Sequence, residues 1–200
     1  MPKRWSAEPD AFHHTLRESF HHPMPFTAPP VDDILAAMAD RFGDLASSVF
    51  RGQTRVVVPV DLVLDVFAFL KQKAFDLLVD VTCVDYLEYR DPPMQMRSCS
   101  GRRYGLVYLL ASTTTNQRLT VRVFVDDPEP TVPSVVPFWE AANWLEREVW
   151  DLFGIRFEGH PDLRRLVMPE EFTAHPLRKD YPLQGRGERH NFPVITRDHS

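Results

Sequence analysis

Between Ser134 and Leu183 the chain changes character abruptly, and few folds accommodate both halves. The first half, SVVPFWEAANWLEREVWDLFG, reads as a helix, with Phe138, Ala142, Leu145, Val149 and Leu152 recurring at steps of four and three on one face. Ser134 is expected to cap it, leaving Val135, Val136 and Pro137 in the first turn, where a missing N–H is harmless. Gly154 stands where a helix takes a left-handed residue just past its end. Charge intrudes on the apolar stripe, because Glu146, Arg147, Glu148 and Asp151 lie among Trp144, Trp150 and Phe153. A surface helix separates its faces more cleanly. After Gly154 comes a strand-like IRF, and then Pro161, Pro169, Pro176, Pro182 and Pro193 interrupt every regular pattern. Such a segment builds no core of its own and is expected to lie extended along another surface.

Two hundred residues suffice for one domain with a sizeable core. Residues 1–30 are expected to form an extended arm, since four prolines between 23 and 30 forbid a continuous helix. The pairs His13-His14 and His21-His22 are adjacent in sequence and point to opposite faces of extended chain, a poor arrangement for a metal. Residues 31–154 form the compact unit. Val31, Ile34, Leu35, Met38 and Phe42 make a helical stripe that Gly43 ends. Leu45 to Phe50 and Thr54 to Val60 read as strands around a turn at Arg51-Gly52-Gln53. Asp61 is expected to cap a helix reaching Lys71, with Leu62, Val66, Phe69 and Leu70 inward. Phe75 to Cys83 then reads as a strand with Leu77, Val79, Val81 and Cys83 on one side.

Beyond a polar loop at 87–102, the strands Arg103 to Ser112 and Arg118 to Val125 form a hairpin, with Leu119, Val121, Val123 and Val125 inward. The strand–helix–strand order requires at least one parallel pair. The fold class is therefore α+β: a mixed, largely antiparallel sheet of about five strands with helices packed on it, followed by an extended proline-rich tail over 155–200.

Composition excludes several functions. A net charge of −5 argues against nucleic acid, whose phosphates need a basic face. No apolar run approaches the roughly 20 residues that span a bilayer, and no secretory signal is expected, so any membrane role runs through partners. The two cysteines, Cys83 and Cys99, are too few for an iron–sulfur or structural zinc site and are expected to be reduced thiols. Eight scattered glycines leave no dinucleotide or phosphate loop. Glu146 and Glu148 point about 200° apart around the helix and cannot form a carboxylate pair. The carboxylates and imidazoles from Glu146 to His175 would suit a stand-alone metal-dependent hydrolase, yet no metal-binding helical motif accompanies them. They read better as structural groups. Arg147, Arg164, Arg165 and Arg178 are the expected partners of the buried acids, in this chain or a neighbour. Asp162 is expected to cap a helical turn over 163–167, and Trp139, Trp144 and Trp150 to belong to the core.

The three blocks ANWLEREVWDLFGI, F-x-x-HPDLRR and HPLRKDYPL, in this order and spacing, resemble the signature of the C subunit of NADH:quinone oxidoreductase, respiratory complex I. The resemblance implies a non-catalytic structural subunit of the peripheral arm, on the cytoplasmic side of a bacterial cell membrane. It would dock against the D subunit, which helps form the quinone site, and near the small iron–sulfur subunits. NADH, FMN, iron–sulfur clusters and quinone would be bound by those other subunits, with no cofactor in this chain. The residues it implicates in interaction are Glu146, Arg147, Glu148, Asp151, Gly154, His160, Pro161, Asp162, Arg164, Arg165, His175, Pro176, Arg178, Lys179 and Asp180. Homologous scaffolds serve membrane-bound hydrogenases and related dehydrogenases, and this motif alone discriminates weakly among them.

Overall fold

A computed structural model describes residues 30–87, 89 and 102–187; the histidine pairs of the arm and Cys99 lie outside the described residues. Helix α1 (Asp32–Phe42) buries Met38 and ends at Gly43, whose φ of 81° lies in the left-handed region. Strands β1 (Ser47–Phe50) and β2 (Gln53–Val57) form a hairpin, and helix α2 (Val63–Gln72) follows a short 3-10 turn at Val60–Leu62. Then come β3 (Leu77–Asp85), β4 (Tyr104–Ala111) and β5 (Arg118–Val125). These five strands make one sheet in the order β1-β2-β5-β4-β3. Every neighbouring pair is antiparallel except β2 with β5. The strand–helix–strand unit β2–α2–β3 therefore brings the chain back in the same direction at the far edge, with β5 and β4 between. A short parallel pair, β6 (Thr131–Pro133) with β7 (Arg156–Glu158), brackets the long helix α3 (Ala142–Phe153), which lies against β3.

One face of the sheet carries the core. Tyr108 stacks on Phe67 of α2 at 4.9 Å, and Trp139 meets the same ring edge-on at 5.6 Å while its indole N–H donates to the Phe75 carbonyl. Ile155 and Phe157, from the strand-like IRF, are fully buried here, so the first residues after the helix belong to the core. Gly105 on β4 marks a close approach: a Cβ there would stand 2.8 Å from the Tyr86 ring and 2.9 Å from the Phe124 ring. Gly105→Ala is expected to destabilise the chain by about 1–3 kcal/mol through overpacking. Urea unfolding checks this, and a midpoint unchanged from wild type would contradict the packing argument.

Four expectations need correction. The long helix starts at Ala142, eight residues later than Ser134 suggests, and has no side-chain cap. Val136 precedes proline and is β-branched, which disfavours helix, and the Ser134 hydroxyl bonds Glu146 instead of a helix N–H. Asp61 likewise makes no cap bond, its place falling inside the 3-10 turn. On β3 the inward residues are Leu78, Val81, Cys83 and Asp85, while Leu77 and Val79 are exposed. A bulge at Val79 supplies the reason, since one extra residue shifts the two-residue period by a face. Finally, Trp139 is buried and Trp150 packs half-buried against the core, but Trp144 is 60% exposed beneath the guanidinium of Arg147.

Candidate functional site

Helix α3 is amphipathic in an unusual sense, because Glu146, Arg147 and Asp151 are buried beside Ala142, Val149 and Phe153. Each buried charge has a distinct solution. Glu146 is fully enclosed and reaches back eleven residues, its Oε1 accepting the Val135 N–H and its Oε2 the Ser134 hydroxyl, both at 2.7 Å. Burial pushes its carboxyl up to about 7 against the pull of those two bonds. Its partners are thus a hydroxyl and an amide, not the arginines expected from the sequence. His160 approaches within 4.0 Å but does not bond it. The imidazole Nδ1 accepts the Asp162 N–H, which leaves Nε2 to donate to the Asn143 carbonyl.

The tail runs along α3 in the helix's own direction. His160 sits at Asn143, and Arg147 donates to the carbonyls of Arg164 and Arg165, both at 3.1 Å. Next, Oδ2 of Asp151 accepts three successive amides, those of Leu166, Val167 and Met168, at 2.7–3.0 Å. Oδ1 takes the Arg165 guanidinium. Burial alone would raise the Asp151 pKa, but those three amides and Arg165 outweigh it and hold the carboxyl below its ordinary value. Residues 163–167 form no helical turn, and the amides of Leu166 and Val167 that such a turn would use are committed to Asp151. Asp162 instead pairs with Arg164, both on the surface.

A helix end leaves its last carbonyls without donors. The second His-Pro block meets that need almost residue by residue. His175 Nδ1 lies 2.9 Å from the Asp151 carbonyl, the Leu177 N–H donates to Leu152 and Arg178 Nε to Phe153. Burial, ahead of Arg178 and Arg165, lowers the His175 pKa, favouring a neutral ring. Gly154 has φ 75°, and a Cβ there would stand 2.5 Å from Arg178 and 2.6 Å from His175. Its lack of a side chain lets the tail close over the helix end. Pro161 lies in an exposed bend and Pro176 is half-buried. Glu148 is exposed, so it stands apart from the residues brought together here.

A second anchor is not evident from the sequence. Asp85, at the end of β3, accepts the Lys179 N–H at 2.8 Å and a two-pronged bond from Arg103. Arg103 also pairs with Asp127 and Asp180. Burial opposes ionisation of Asp85, but Arg103 and the Lys179 and Leu87 amides hold its pKa low. Asp180 is held low chiefly by Arg103. Arg178 and Arg103 both lie over the Tyr104 ring, at 5.4 and 4.8 Å from its centre. One signal could have found it, since Asp85 shares the inward parity of Val81 and Cys83 on a strand otherwise apolar on that face. Asp85→Asn is expected to speed amide exchange over residues 175–181 by at least about tenfold while leaving β4 and β5 unchanged. Equal acceleration throughout the sheet would show that Asp85 holds the whole domain and not the tail.

The signature thus forms an internal clasp of helix end, amide ring and strand end. A family model described as the respiratory-chain NADH dehydrogenase 30 Kd subunit matches residues 56–187, which contain the whole clasp. The chain belongs to that family. Among relatives named as the C subunit of NADH-quinone oxidoreductase, one from Acidithiobacillus ferrooxidans is 54% identical over 115 residues, covering 58% of this chain and 54% of that protein. The matched stretch is therefore about half the length of that relative. One from Geobacter sulfurreducens is 44% identical over 137 residues, covering 68% of this chain and 78% of its own length. One from Legionella pneumophila is 37% identical over 180 residues, covering 79% and 78%.

Among solved structures, a trypsin-resistant fragment of Nqo5 superposes with a TM-score of 0.58 at 35% identity, covering 66% of this chain and 98% of the fragment. A chain of an archaeal membrane-bound sulfane sulfur reductase, at TM-score 0.65 and 22% identity, covers 83% of this chain and 93% of its own and shares the fold.

Proposed function

We propose that this chain is a non-catalytic structural subunit of the peripheral arm of an NADH:quinone oxidoreductase. It sits on the cytoplasmic side of the membrane, against the subunit that helps form the quinone site and near the small iron–sulfur subunits. The assembly transfers electrons from NADH to quinone and couples them to proton translocation, with NADH, FMN, clusters and quinone held by other chains. The family membership and the names of the relatives support the assembly. The observation that supports a structural role is the fate of the signature: its buried charges are engaged by backbone amides, backbone carbonyls and one another. Groups so engaged hold a fold; they are not poised to exchange protons with a substrate.

Among the described residues no three His, Cys, Asp or Glu side chains converge, and the buried Cys83 thiol is pushed up to about 12 by burial and by Asp85. The experiment is purification of the affinity-tagged chain from detergent-treated native membranes, with its companions identified by mass spectrometry. A flavin-bearing NADH-oxidising chain and a quinone-site chain are the expected companions. A nickel-bearing large subunit would move the scaffold to a hydrogenase, and a lone chain carrying stoichiometric metal would overturn the scaffold role.

A further inference from the structure

The hairpin of β1 and β2 lies at the edge of the sheet opposite β3, away from the clasp. Its sequence, SSVFRGQTRVV, holds two arginines and no carboxylate within a chain of net charge −5. Val49 is 61% exposed and Phe50 45%. The guanidiniums of Arg51 and Arg55 both lie over the Phe50 ring, at 5.3 and 5.0 Å, and among the described residues neither has an ion-pair partner. Arg51 and Gly52 both take left-handed backbone, φ 51° and 74°, a two-residue turn whose first position favours Asn or Gly. An arginine there accepts strain in order to place a cation at the tip.

The backbone register adds an independent fact. Phe50 pairs with Gln53 across the tight turn, and Val57 N–H donates to Ala46. In the alternating ladder this makes 50, 48 and 46 the residues bonded to β2, so the N–H and C=O groups of Ser47 and Val49 point outward. No described strand lies beyond β1. Open ladder groups beside exposed apolar side chains are a template for another strand.

We propose that the outer edge of β1 is a strand-addition site for an acidic, extended segment of a neighbouring polypeptide. The segment pairs with the backbone of Ser47 and Val49 and sets carboxylates against Arg51 and Arg55. A peptide is required because only a backbone completes the ladder, which lipid headgroups and nucleic acid do not. Acidity is required because stacking on Phe50 pre-orients both guanidinium forks for carboxylates. A second copy of this chain would bring up an edge of the same sign. The inference goes beyond the scaffold reading and holds whichever assembly contains the chain.

The test uses the full chain in its native host. A photoreactive phenylalanine analogue replaces Ser47, cells are irradiated, and the cross-linked peptide is sequenced. The expected product is a single segment of another chain, rich in Asp and Glu. Its yield should fall at least about tenfold in the variant R51E/R55E and by a smaller factor in R51K/R55K, which retains the charges but not the forks. In the purified assembly the amide of Val49 should exchange at least about tenfold more slowly than in the isolated chain. Unchanged thermal unfolding of R51E/R55E on its own shows that the loss is not misfolding.

Cross-linking to lipid, to a second copy or to nothing would overturn the proposal, as would flotation of the isolated chain with phosphatidylglycerol vesicles through Arg51 and Arg55. Failure of the tagged purification would sink the scaffold role, whereas this cross-link, read in intact cells, would still stand or fall independently.

Discussion

Asp151→Ala destabilises the folded chain by about 3–5 kcal/mol, the largest effect expected of any single substitution in the clasp. One carboxylate holds the amides of Leu166, Val167 and Met168 together with the Arg165 guanidinium, and its side chain is fully buried. Its removal leaves a largely buried cation and three donors without their acceptor. Arg165→Ala should cost less than Asp151→Ala, because the carboxylate left behind loses its cation but keeps its three amides. Arg164→Ala should cost only about 0–1 kcal/mol, since its guanidinium and Asp162 are both well exposed. Urea unfolding of the three variants checks the order. Equal losses for the two arginines would mean that the adjacent pair acts as a unit, as their positions in the sequence suggest. The structure separates them: one faces inward to this chain's own acid, and the other faces solvent.

The second large effect concerns pH. Glu146 keeps its proton to about pH 7 when folded, against 4.5 for a free glutamate. Below 4.5 the carboxyl is neutral in both states and costs nothing. As pH rises from there, the unfolded chain releases the proton while the folded chain retains it. Stability therefore falls by about 1.4 kcal/mol per pH unit, roughly 3 kcal/mol in all, and levels off above pH 7. Asp85, Asp151 and Asp180 act in the opposite sense, since their folded values are lowered and their contribution is lost as pH falls through those values. His175, whose folded value is lowered from 6.5, also costs stability as pH falls below 6.5, so the wild-type chain should be most stable below pH 7 and lose stability on both sides of that maximum. Glu146→Gln keeps the acceptor for Val135 and removes this titration, so the fall in stability toward pH 7 should disappear and only the rise toward pH 6.5 that His175 imposes should remain. A variant with the wild-type slope would assign the pH dependence to another group.

Much of the fold was legible because its elements follow simple periods. The alternation of Leu119, Val121, Val123 and Val125 marks residues that are all buried, although Thr120 and Phe124 of the other parity are buried too, and the stripe from Val31 to Phe42 faces the core. Where sequence and structure part, a long-range bond had displaced a local rule. Ser134 had the right chemistry for a cap, but Glu146 claimed its hydroxyl from twelve residues away. Residues 163–167 had helix-compatible side chains, but Asp151 claimed the amides of Leu166 and Val167. The bulge at Val79 moved Leu77 to the opposite face without any glycine or proline to announce it. The site residues were recognised by type, yet their partners were not. Arginine and aspartate announce that they will pair; they do not announce with whom, and backbone carbonyls at a helix end leave no mark in the sequence at all.

The clasp also dictates an order of events on the ribosome. Helix α3 emerges with Arg147, Asp151 and its bare terminal carbonyls before any residue that satisfies them exists. The tail's anchor from Lys179 to Asp85 joins residues 94 positions apart. A nascent chain halted near Gly154 therefore possesses every strand of the main sheet but cannot lay the helix against it without stranding ionised groups in an apolar setting. The domain closes only when the HPLRKDYP block has been translated. Premature termination between Gly154 and Lys179 should yield a product with a complete sheet and an open flank, a ready substrate for chaperones and proteases.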